Sequence, residues 1–154
     1  MLRILLVEDN PADAHMLRTA LEKTGIPVEI THLKDGVEAM EFLAKSQGAP
    51  QPDVVLLDLN LPRLSGFEVL EHIRSSDELK RLPVVIMSGS TNSEEIDRCY
   101  QLGANSYICK PIHLGEILST AERFVVYWAN CVKLPTRRRV ARSAAANLAA
   151  ARIQ

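Results

Sequence analysis

No apolar run such as residues 4–7 or 54–57 of this 154-residue chain approaches the length of a membrane span, which needs about 20 residues. No basic-then-apolar leader precedes these runs, so the chain is expected to be cytoplasmic. Cysteine is scarce. Cys99, Cys109 and Cys131 are odd in number and lack Cys-x-x-Cys or Cys/His spacing, which argues against a disulfide framework or structural zinc and for reduced thiols. His15, His32, His72 and His113 are scattered and predict no metal cluster. Acidic residues are missing from residues 133–154, where Lys133, Arg137, Arg138, Arg139, Arg142 and Arg152 give +6. The preceding 132 residues hold 12 basic and 19 acidic side chains, a net −7, so the tail is expected to meet an acidic surface or a polyanion.

What is present fits one soluble globular domain: 47% hydrophobic residues, 24% charged, seven Gly and eight Pro. Short apolar runs rich in β-branched residues, at 2–7, 28–32, 54–57, 84–87 and 106–109, alternate with stretches of helical period at 11–24, 36–46, 66–75, 93–102 and 114–132. That alternation predicts an α/β fold with a parallel sheet covered on both faces. Asn10 before Pro11 suits a helix start, and Gly25 and Gly103 stand where left-handed helix terminators belong. The domain is expected to occupy residues 1–132, followed by a basic, Ala-rich extension over 133–154.

In a doubly wound sheet, ligands bind beyond the carboxyl ends of the strands. Those positions hold Glu8 and Asp9 after the first strand, Asp58 closing the third, Ser88 after the fourth and Lys110-Pro111 after the fifth. Clustered carboxylates repel one another, and a hard divalent cation, Mg²⁺ or Mn²⁺, relieves that most simply. A lysine would bring a point charge to a phosphoryl group and a serine hydroxyl a hydrogen bond. With no Ser/His or Cys/His pairing to compete, a carboxylate is the expected nucleophile. Taken singly, Glu8, Asp9 and Asp13 also suit the dipole of the first helix. Asp58 and Lys110 taken singly suit ordinary loop positions; their joint placement at the strand ends makes the functional reading.

The stretches Leu5-Leu6-Val7-Glu8-Asp9-Asn10, Leu57-Asp58-Leu59-Asn60-Leu61-Pro62, Pro83-Val84-Val85-Ile86-Met87-Ser88 and Tyr107-Ile108-Cys109-Lys110-Pro111 resemble the receiver domain of two-component response regulators over residues 1–132. The resemblance implies a flavodoxin-like, five-stranded parallel sheet of order 2-1-3-4-5. It implies that Asp58 accepts a phosphoryl group from a histidine kinase, and that Mg²⁺ is held by Glu8, Asp9, Asp58 and the Asn60 backbone carbonyl. Ser88 and Lys110 would contact the phosphate, Tyr107 would be the aromatic that moves with Ser88, and the bond before Pro111 would be cis. Asp9-Asn10-Pro11-Ala12-Asp13, with the long last helix through Phe124, Trp128 and Lys133-Leu134-Pro135, is similar to single-domain regulators paired with bacterial phytochrome kinases.

The last helix carries two apolar stripes. Ile117, Leu118, Ala121, Val125, Trp128 and Val132 are expected to pack on the sheet. Phe124, Tyr127, Cys131 and Leu134 form a second stripe, which predicts a homodimer through helices four and five unless the Ala-rich tail folds back over it. Nucleic-acid binding or scaffolding through the basic tail is the competing reading; a −7 body and the lack of a groove-reading module oppose it. A phosphohydrolase with an aspartyl nucleophile would want an acid where Asn60 stands. Flavin binding would want hydroxyls where Glu8-Asp9 stand.

Overall fold

The aliphatic runs form the strands that their composition predicts. In the computed structural model, which describes residues 1–45 and 50–136, β1 (Leu2–Val7), β2 (Val28–Leu33), β3 (Val54–Leu57), β4 (Val84–Ser88) and β5 (Ser106–Cys109) form one parallel sheet. Its order is β2-β1-β3-β4-β5, as expected. β3 and β4 are buried along their whole length and β1 at all but Arg3, which is why these runs do not alternate with polar residues.

Five helices return the chain between strands: α1 (Pro11–Glu22), α2 (Gly36–Lys45), α3 (Gly66–Ser75), α4 (Ser93–Gln101) and α5 (Leu114–Val126). Alternate strand residues feed two cores. Ile4, Leu6, Leu56, Val85 and Met87 meet α1 and α5, whereas Leu5, Val7, Val55, Leu57 and Ile86 meet α2, α3 and α4. Helix starts are set by side chains. Asn10 Oδ1 accepts the N–H groups of Ala12 and Asp13, Asn92 caps α4, and Ser65 with Glu68 forms a capping box at α3. Gly25 and Gly103 have φ of 75° and 96°, as their places in the sequence predict. Arg74 ties three segments together, donating to the carbonyls of Gly103 (2.8 Å) and Leu82 (2.7 Å) and to Asn105 Oδ1 (2.9 Å).

The C-terminal segment departs from the expected single helix over 114–132. The α-helix ends at Val126, and residues Tyr127–Cys131 form a π-helical turn closed by the Val132 N–H on the Tyr127 carbonyl at 3.2 Å. Trp128 packs edge-on to Tyr127, with centroids 5.3 Å apart, and is half-buried against the α1/α5 core together with Leu134. Phe124 also departs from expectation: it is only 5% exposed and belongs to that core rather than to an outer stripe. The reason is helical phase, since 117, 121, 124 and 125 share one face. Leu118, expected inside, is 37% exposed. Tyr127 and Cys131 are exposed, as the outer stripe requires. The arginines at 137–142 and at 152, and position 46 of the second predicted helix, lie outside the described residues.

Candidate functional site

Parallel pairing brings the four strand ends to one edge. Val7 is in register with Leu57, so Glu8 and Asp58 emerge side by side; the Asp58 N–H donates to the Val7 carbonyl at 3.0 Å. Ser88 pairs with Cys109, and the Lys110 N–H donates to the Ser88 carbonyl at 2.8 Å. From β5 the Lys110 side chain crosses the sheet edge, placing Nζ 2.6 Å from Glu8 Oε2 and 2.8 Å from Asp58 Oδ2. Asp13 Oδ2, from the first turn of α1, lies 3.5 Å away.

These are costly groups to bury. The Glu8 and Asp58 side chains are 3% and 6% exposed. Burial pushes the Glu8 carboxyl above its ordinary value, against the pull of Lys110 and the Asn10 N–H, which donates to Glu8 Oε1 at 3.0 Å. For Lys110, burial works to lower the pKa, but hydrogen bonds and charge attraction from Asp58 and Glu8 outweigh it and raise the value. The lysine is therefore held firmly as a cation. Carboxylate oxygens of Glu8, Asp9 and Asp58 all lie within 4.8 Å of one another, and three acids against one lysine leave negative charge uncompensated. Hard oxygen donors, two of them buried and one exposed, fit Mg²⁺ or Mn²⁺.

Asn60 is linked to the cluster through its backbone, its N–H donating to Asp58 Oδ1 at 3.3 Å. Ser88 is fully buried. Its Oγ accepts the Ser90 N–H at 3.3 Å, while the Tyr107 hydroxyl donates to the Ser90 carbonyl at 2.7 Å. Ser88 and Tyr107, expected to act together, are thus joined through Ser90, a residue that reads in the sequence as an ordinary loop serine. Burial raises the Tyr107 pKa, so its phenol stays a donor.

The cis bond expected before Pro111 is not found: every described peptide bond is trans, Lys110-Pro111 included. Trans is the ordinary preference of X-Pro bonds, by roughly 0.5–1 kcal/mol, and with it Lys110 still reaches both Glu8 and Asp58. His32 was not among the predicted site residues. Its Nε2 lies 2.8 Å from the Glu8 carbonyl oxygen and donates to it, holding the β1–α1 loop from β2; the Leu6–His32 register is the feature that reveals it. Tyr127, Cys131 and Leu134 belong to the C-terminal segment and take no part in this cluster.

A family model of the response regulator receiver domain matches residues 4–122. The chain belongs to the response regulator receiver family. Among individual receivers, response regulator Rcp1 of Synechocystis sp. is 37% identical over 135 residues, 86% of this chain and 92% of that protein. The crystal structure of the phosphorylated cyanobacterial phytochrome response regulator RcpA superposes with a TM-score of 0.81 at 39% identity, covering 87% of this chain and 98% of that one. The Mn²⁺-bound form of Rcp1 gives a TM-score of 0.81 at 36% identity, covering 88% and 100%. These similarities place the receiver among two-component signalling proteins related to phytochrome response regulators. Among its described residues, no helix is long and apolar enough to cross a membrane.

Proposed function

We propose that this receiver takes a phosphoryl group onto Asp58 from the phosphohistidine of a histidine kinase, and that the kinase is a bacterial phytochrome. The observation that carries the reading is Lys110 Nζ lying between Glu8 and Asp58 in a cluster of three acids at the carboxyl edge of the sheet. A carboxylate oxygen of Asp58 attacks phosphorus, the N–P bond of the donor breaks, and the imidazole leaves with its electron pair. Asp58 is oriented for this from both sides, by the Asn60 N–H on Oδ1 and the Lys110 ammonium on Oδ2. Lys110 has three N–H donors and can follow charge onto the phosphoryl oxygens. Glu8, Asp9, Asp58 and the Asn60 carbonyl would hold Mg²⁺, which supplies charge neutralisation at those oxygens.

The product carries about two negative charges where Asp58 carried one, and offers new acceptors to Ser88 and Lys110. Drawing the Ser88 hydroxyl toward them competes with its bond from Ser90, whose carbonyl also holds Tyr107. The surface of α4, β5 and α5 is thereby biased between two arrangements. The kinase assignment is supported by the similarity to RcpA, a cyanobacterial phytochrome response regulator, and is tested by transfer. A phosphorylated bacterial phytochrome kinase is expected to lose its label to this chain within the first minutes, faster than an unrelated histidine kinase does. Equal rates from both would remove the phytochrome assignment and leave the receiver chemistry.

The same surface supports self-association. Tyr127 is 54% exposed, and with Arg123, Phe124, Trp128 and Ile108 it lines an open apolar groove between β5 and α5. We read this groove, with the exposed Tyr127 at its rim and the exposed Cys131 in the same π-helical turn, as a homodimer face. Light scattering is expected to give twice the 17.1 kDa chain mass, and Tyr127→Asp is expected to return the single-chain value. A wild-type chain that stays at single mass at high concentration, phosphorylated or not, would overturn the dimer.

A further inference from the structure

The loop that follows Asp58 holds a non-glycine residue in the left-handed region: Arg63, at φ 68°. L side chains avoid that region and glycine does not, so the backbone alone gives no reason for arginine here. The reason lies in its side chain. Although that side chain is 59% exposed, Nη1 reaches Asp35 Oδ2 at 3.1 Å. Asp35, at the carboxyl end of β2, is buried, and its other oxygen accepts the Glu38 N–H at 2.8 Å in the first turn of α2. That N–H, with Arg63 acting in the same direction, holds the Asp35 carboxyl below the usual range. One carboxylate thus caps α2 and grips the β3–α3 loop.

Backbone contacts close the loop at both ends. Gly66 sits so tightly on the Asp58 carbonyl, and Gly36 on the Leu64 carbonyl, that a Cβ at either would overlap them. Within the loop, the Leu61 and Gly66 N–H groups donate to the Leu59 carbonyl at 3.1 and 2.9 Å. Asn60 lies inside this closure, one residue after Leu59, with its N–H on Asp58. The segment between Asp58 and Gly66 is therefore fixed by several contacts, and among those named Arg63–Asp35 is the one that joins two side chains.

We propose that the Asp35–Arg63 ion pair is a positioning device for the cation site, locking the β3–α3 loop so that the Asn60 carbonyl faces the Glu8, Asp9 and Asp58 carboxylates. The inference rests on the reading of that cluster as a Mg²⁺ site. Neither Arg63 nor Asp35 touches the reacting atoms; both act through the loop. An ion pair whose arginine is 59% exposed adds little to global stability, and Arg63→Gly also relieves the backbone. Stability and metal affinity should therefore part company.

The experiment is Mn²⁺ titration, read as free Mn²⁺ by electron paramagnetic resonance, on the full chain and on Arg63→Gly, Arg63→Lys and Asp35→Asn, beside thermal midpoints in EDTA. Arg63→Gly is expected to bind Mn²⁺ about tenfold more weakly with an unchanged or higher midpoint, and Arg63→Lys to recover part of the loss. Arg63→Gly combined with Asp35→Asn is expected to bind no more weakly than Asp35→Asn alone, since one link is removed in both. Wild-type affinity in Arg63→Gly, or a loss of affinity that tracks a lowered midpoint, would overturn the positioning role. A wild-type chain that binds no Mn²⁺ would instead overturn the cation site, and this inference with it.

Discussion

Asp58→Asn is expected to abolish phosphoryl incorporation. Incubated with acetyl phosphate and Mg²⁺, the native chain should gain one phosphoryl group, roughly 80 Da by intact mass, and the variant none. Acetyl phosphate needs no kinase, so the result isolates the chemistry of the receiver's own groups. The substitution is nearly isosteric. An asparagine carbonyl oxygen can still accept the Asn60 N–H, and Lys110 keeps Glu8 as a partner, so the fold should be retained. What is lost is the anionic oxygen that attacks phosphorus. Withholding Mg²⁺ from the native chain should suppress the gain as well, because the negative cluster of Glu8, Asp9 and Asp58 then opposes an incoming anion. An Asp58→Asn chain that still gains a hydroxylamine-sensitive 80 Da would move the acceptor to another carboxylate. Asp13, 3.5 Å from Lys110, would be examined first.

The site was legible in the sequence because a parallel sheet sends every strand end to the same edge. Glu8, Asp58, Ser88 and Lys110 needed only the strand count and the switch-point rule to be grouped, and their geometry follows from the observed register. The central strands were legible for a related reason: β1, β3 and β4 are covered on both faces and so appear as unbroken aliphatic runs. What escaped depends on quantities that spacing does not encode. Ser90 acts through its own backbone N–H and carbonyl, so its side-chain type carries no signal, and His32 bonds a backbone carbonyl, an acceptor that every residue carries. Arg63 adopts a backbone angle that its residue type does not advertise. Phe124 lies inward because it shares the buried face of α5 with Ile117, Ala121 and Val125, a phase that the two adjacent apolar stripes of the sequence leave open. The π-helical turn after Val126 then shifts the phase of everything beyond it.

Lys110→Ala should produce the largest stability change of any single substitution in the site. The ammonium lies between two carboxylates that are 3% and 6% exposed, and without it their burial, which already raises the Glu8 pKa, and their mutual repulsion lose the partner that opposes them. Breaking such a buried arrangement costs about 3 kcal/mol in metal-free buffer at neutral pH. The sign of the pH dependence follows from Glu8. Its folded pKa lies above the unfolded value, so protonation favours the folded state, and losing Lys110 removes a partner that pulled that pKa down. The stability deficit of the variant should therefore be greatest near neutral pH and shrink as pH falls through the raised Glu8 value. In the native chain the Lys110 contribution has the opposite character. Its folded pKa lies above 10.5, so the contribution is fully present below that value and is lost only as pH rises through the higher folded one. Mg²⁺ should rescue the variant more than it stabilises the native chain, because the cation replaces the missing positive charge instead of competing with it. Phosphoryl incorporation should nonetheless stay about 100-fold slow at saturating Mg²⁺, since the donor aimed at the transferred group is gone. Chemical denaturation with EDTA and with Mg²⁺ measures each of these. An unchanged midpoint in EDTA would mean that the three acids tolerate one another without Lys110, and that its place among them serves transfer alone.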